Sequence, residues 1–96
     1  MIFTAQVKQS NFARYSNRQA PQLSFKKINS HLVLQLSERE YKVLQLIYEG
    51  KANQQIADTI FISVNTIKKH INSAYSKLDV TTRTKAIARL LELMMK

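Results

Sequence analysis

From Ser63 to Leu78 the chain contains no Asp or Glu, yet it carries Lys68, Lys69, His70 and Lys77 among Asn65, Thr66, Asn72, Ser73 and Ser76. This is an inventory for hydrogen bonding rather than for bond making. Lysine donates to guanine acceptors, a carboxamide pairs with the adenine edge, and hydroxyls and open helix N–H groups hold phosphate. A face so composed suits the major groove of duplex DNA. It equally suits a solvated face kept polar for solubility, and this segment alone leaves both readings open. Catalysis and metal binding are not expected. His31 and His70 are the only histidines, neither has a carboxylate at ligand or relay spacing, and the absence of cysteine removes thiolate zinc sites. No cofactor, metal or catalytic residue is therefore assigned, and an enzyme is not expected.

The elements that must present this face are legible from caps and periodicity. Val64, Ile67, Ile71, Ala74 and Leu78 recur at spacings of three and four, so they share one side of a helix over 63–78 capped by Ser63. At about 100° per residue, Lys69 projects directly away from that stripe. Asn65, Thr66, Asn72, Ser73 and Ser76 lie around it, and Lys68 and His70 flank it. Upstream, Ser37-Glu38-Arg39-Glu40 has the form of a capping box, in which hydroxyl and carboxylate each satisfy a backbone N–H. Val43, Leu44 and Ile47 form the stripe of that helix, and Gly50 supplies its left-handed stop. Asn53 is expected to cap a short second helix with Ile56, Ala57 and Ile60 inward. Thr82 caps a fourth helix. A short helix, a turn through Phe61-Ile62 and a capped basic helix make a helix-turn-helix, which shifts the balance toward the groove.

Composition bounds the rest. The chain has 96 residues, a net charge of +9, one glycine, one proline and no cysteine. One glycine excludes glycine-rich phosphate loops and argues against a sandwich or barrel rich in tight turns. The charge asks for a polyanion, either nucleic acid or an anionic membrane surface. No apolar run exceeds three residues, so no bilayer-spanning segment is expected, and the cysteine-free composition fits the cytoplasm. Residues 1–36 hold five basic side chains and no acid, and 37–96 hold ten basic and six acidic ones. Residues 1–35 read as an N-terminal arm or linker, its early part flexible, with a short hairpin at 23–36 suggested by weak alternation. Residues 36–96 read as the folded domain.

The segment from Leu36 to Ala86 resembles the LuxR/GerE-type helix-turn-helix domain of bacterial transcription regulators. The matching residues are Leu36, Ser37, Arg39, Glu40, Val43, Leu44, Gly50, Asn53, Ile56, Ala57, Ser63, Thr66, Ile67, Lys68, His70, Lys77, Leu78, Val80, Arg83 and Ala86, in order and spacing over about half the chain. The resemblance implies an all-α four-helix domain with a basic, partly extended N-terminal segment. It implies a transcription regulator that binds double-stranded DNA, with RNA polymerase as a further partner and no membrane association. Base contacts would fall on Lys68, Lys69 and Asn72. Phosphate contacts would fall on Thr66, His70 and Lys77, joined by Asn53, Ser63 and Asn65 at the helix starts. Two positions depart from the family pattern. Asn72 stands where many relatives have Lys or Arg, and Lys85 where many have Glu or Gln, which removes the reciprocal half of the fourth helix's cap. Residues 1–35 lie outside the match and hold no receiver or ligand-sensing domain.

Two features need partners. Glu40 projects onto the side of Val43, Leu44 and Ile47, so its carboxylate must be satisfied by the capping box, by a pair with Arg83 that the family pattern suggests, or by both. In the fourth helix Ala86, Leu90 and Leu93 can face the core, while Ile87, Leu91, Met94 and Met95 extend the apolar surface beyond one packing face. Either residues 1–35 cover that surplus, or the helix forms a homodimer that would read an inverted repeat. A sigma region 4-like module, a winged helix with strands at 23–36, and a domain acting mainly through protein contacts with another regulator remain as alternatives.

Overall fold

The computed structural model describes residues 22–96. The expectation of an N-terminal arm falls largely outside them. Five helices follow in order: α1 (Phe25–Ser30), α2 (Glu38–Tyr48), α3 (Asn53–Ile60), α4 (Val64–Leu78) and α5 (Arg83–Met94). There is no strand among the described residues. The all-α architecture is as the sequence implies. The four expected helices are α2 to α5, and α1 is additional.

The hairpin at 23–36 is not formed. Ser24 Oγ accepts from Lys27 N at 3.2 Å and starts a short helix instead, which buries Ile28 completely. The apolar run that follows has no partner strand: Val33 is fully exposed and Leu34 largely so. The backbone of Leu36 is paired by a side chain. Leu36 N donates to Asn29 Oδ1 at 2.7 Å, and Asn29 Nδ2 donates to Leu36 O at 3.1 Å. Both residues are buried, so one carboxamide does for this loop what a neighbouring strand would otherwise do.

Helix boundaries follow local chemistry. At α2 both halves of the capping box form, with Glu40 N donating to Ser37 Oγ at 3.1 Å and Ser37 N to Glu40 Oε1 at 2.8 Å. The helix ends at Gly50, with φ of 92°. Lys51 N reaches Leu46 O at 3.0 Å and Gly50 N reaches Ile47 O at 2.9 Å, which satisfies the final carbonyls. A Cβ at Gly50 would meet nothing within 4 Å, so substitution there tests backbone strain alone. Gly50→Ala is expected to lower stability by about 1–2 kcal/mol in denaturant titration without altering the helical spectrum. Asn53, expected as a cap, is instead the first helical residue of α3. Ala52 takes the cap position, and Gln55 Oε1 accepts its N–H at 2.8 Å. At α5, Thr82 Oγ1 accepts from Lys85 N at 3.1 Å.

α2 packs most extensively on α4, α3 on α4, and α1 on α5. Val43, Leu44, Ile47, Ile56, Ile67, Leu78, Leu90 and Leu93 are fully buried between them. Each such side chain contributes about 1.5–3 kcal/mol of transfer free energy, so α4 is anchored along its whole inner face.

Candidate nucleic-acid interface

α4 begins where Ser63 Oγ accepts from Thr66 N at 3.1 Å, and the serine hydroxyl in turn donates to Thr66 Oγ1 at 3.0 Å. It ends at Asp79, left-handed at φ 59°, where Val80 N reaches Tyr75 O at 3.0 Å. Ile67, Ala74 and Leu78 are buried, and Val64, Ile71 and Tyr75 pack beside them. The opposite side carries Asn65, Lys68, Lys69, Asn72 and Ser76, all exposed, with Thr66 and His70 half-buried on its margins. Lys68, Lys69 and Asn72 thus share one solvent-facing surface, as the helical projection requires. Asn53 is half-buried at the start of α3, and Ser63 is exposed at the start of α4.

Lys77 and Ser73 do not join that surface. Lys77 Nζ donates to Glu40 Oε1 at 2.7 Å, and Ser73 Oγ donates to Glu40 Oε2. Both side chains turn toward α2, because the 73/77 spacing places them along one flank of the apolar stripe. Glu40 is 6% exposed. Its burial works against ionisation, but hydrogen bonds from Lys77, Ser73 and the Ser37 backbone, with the charge of Lys77, hold its carboxyl at about 2. The network fixes the rotation of α4 about its own axis relative to α2. It also engages one donor of the cation that the family pattern would send to phosphate.

Arg83, the partner that pattern offered to Glu40, lies elsewhere. Its guanidinium donates to Lys51 O and, at 3.4 Å, to Ile47 O, where the helix dipole of α2 favours a cation. Of the partners of Glu40, the Ser37 N–H of the capping box was legible in the sequence, and the long-range donors Lys77 and Ser73 were not. The available signal was the pair of donors at 73 and 77, four residues apart beside the buried stripe.

The surplus apolar face of α5 is partly covered. Ser24 N donates to the Met94 sulfur at 3.3 Å, and Ile87 and Met94 pack against the core. Leu91 is half-buried, and Met95 is 79% exposed. No group of three or more possible metal ligands occurs among the described residues, and none of their helices is long and apolar enough to cross a membrane.

A short brace helix, a turn and a longer helix with a polar, acid-free outer face define a helix-turn-helix domain. Residues 34–90 match the family described as GerE, bacterial regulatory proteins, luxR family, and the chain belongs to that family. It is 49% identical over 51 residues to the transcriptional regulatory protein LiaR of Bacillus subtilis, covering 53% of this chain and 24% of that protein. It is 45% identical over 62 residues to the HTH-type transcriptional regulator MalT of Yersinia pestis, covering 62% of this chain and 7% of that one. The chain therefore spans a quarter or less of the length of these relatives. The domain is regulatory in class rather than enzymatic.

Proposed function

We propose that this domain binds duplex DNA sequence-specifically as part of a cytoplasmic transcription regulator, with α4 in the major groove and RNA polymerase as a downstream partner. The observation that carries this reading is the exposed, acid-free face of α4, which collects two lysines and a carboxamide on a helix whose other side is wholly anchored. Lys68, Lys69 and Asn72 read base edges. Asn53, Ser63, Asn65, Thr66 and His70 lie toward phosphates, and the open N–H groups at the start of α4 add to them. Lys77 is left out, since Glu40 engages its ammonium. The domain acts as a homodimer through α5, using Leu91 and Met95 with the accessible parts of Ile87 and Met94.

Selection of bound duplexes from a random pool tests this directly. A defined inverted repeat with half-sites about one helical turn apart is the expected product. Lys69→Ala or Asn72→Ala should each lower discrimination between selected and scrambled duplexes by ~1–3 kcal/mol. Equal losses on both duplexes would remove these residues as base readers. Failure to enrich any sequence, with the domain folded and captured by a second regulator, would favour the protein-contact reading instead.

A further inference from the structure

The turn between α3 and α4 places two costs on one residue. Phe61 is left-handed at φ 59° and ψ 42°, a conformation that glycine or asparagine fills far more readily than an aromatic residue. Its side chain is also 92% exposed. Among the described residues the other left-handed positions carry Gly50 and Asp79, which have no side chain or a short polar one. Stopping α3 needs only the local backbone, since Ile62 N donates to Ala57 O at 3.1 Å whatever side chain stands at 61. Ile60 and Ile62 on either side pack toward the core, so the exposed ring adds nothing to it. Strain retained beside a functional surface points to a use for that surface.

The surroundings indicate the occupant. Phe61 lies two residues before Ser63, and no acid occurs from Thr59 to Leu78. The ring therefore sits beside the start of α4, where phosphate contacts are proposed, and precedes the base-reading residues by about two helical turns. On a groove wall between phosphates, the apolar surface is the deoxyribose. We propose that Phe61 clamps the DNA backbone by packing its ring on the sugar next to the phosphate held at the α4 N-terminus. This inference rests on the DNA-binding reading above. It adds a contact that is independent of base sequence and carries no charge.

The test uses the full chain and mixed-sequence duplex DNA over a range of salt concentrations. Phe61→Gly should raise the thermal midpoint, because the strain is relieved and no buried surface is lost. It should weaken binding about three- to tenfold at every salt concentration, leaving the salt slope unchanged, since no phosphate contact is removed. Phe61→Leu, which keeps both an apolar side chain and the strain, should retain the wild-type midpoint and most of the affinity. Wild-type affinity in Phe61→Gly overturns the clamp, as does a loss accompanied by a lower midpoint or a flatter slope. A folded wild-type chain that binds no duplex at low salt overturns the DNA-binding reading itself.

Discussion

Glu40→Ala is expected to destabilise the domain by about 3–5 kcal/mol in chemical denaturation, the largest single-residue effect outside the hydrophobic core. The substitution strips one half of the α2 capping box and leaves the Lys77 ammonium and Ser73 hydroxyl without their acceptor. A half-buried cation facing an apolar helix is the costly part. Acid should act on the wild-type protein through the same group. The Glu40 carboxyl is lowered from 4.5 to about 2 in the fold, so its contribution is fully present above pH 4.5 and is lost as pH falls toward 2. That shift is worth about 3 kcal/mol. Glu40→Gln keeps an oxygen for Ser37 N and removes the charge, so it should cost less than alanine and flatten the stability loss between pH 4.5 and 2. A Glu40→Ala protein that melts like the wild type, or a Glu40→Gln protein with an unchanged acid limb, would dismiss the stabilising role of the Glu40 network.

Asn29→Ala should cost about 2–4 kcal/mol, because both backbone groups of buried Leu36 then lose their only described partner. The effect should be cooperative with the whole domain, since Leu36 leads directly into the capping box of α2. Asn29→Asp offers the acceptor but sets a second oxygen against Leu36 O, so it should match or exceed alanine at neutral pH and recover as the carboxyl protonates. Hydrogen exchange at the Leu36 amide is the sensitive measurement. Protection that survives in Asn29→Ala would show that the carboxamide is not what holds the loop. Asn29 precedes the family-matched residues 34–90, so this contact ties α1 to the common helix-turn-helix core.

These two sites show where sequence reasoning stops. The capping box at Ser37 and Glu40, the stop at Gly50, and the caps at Ser63 and Thr82 were all legible, because each is a contact between residues a few positions apart. The outward set Lys68, Lys69 and Asn72 was legible for a related reason: a helix has one period, and the buried stripe fixes which side remains. Asn53 lies one position inside the helix: Ala52 stands at the cap without a side-chain acceptor, and Gln55 supplies only the reciprocal bond to the Ala52 N–H. The alternation at 23–36 is too short to specify a strand, and a helix started by Ser24 and anchored by Ile28 forms at its beginning instead.

By itself, then, the sequence determined an all-helical domain, the starts of α2, α4 and α5, its family and the face of α4 that meets solvent. Tertiary structure decided the fate of the long-range polar groups. Lys77 and Glu40 are 37 positions apart, Ser73 and Glu40 are 33 apart, and Ser24 and Met94 are 70 apart. No periodicity encodes such pairs, because they depend on how helices cross. That crossing pairs a lysine expected on phosphate with a buried carboxylate, and it covers part of an apolar α5 face for which the sequence left two covers open, residues 1–35 or a second copy of the chain.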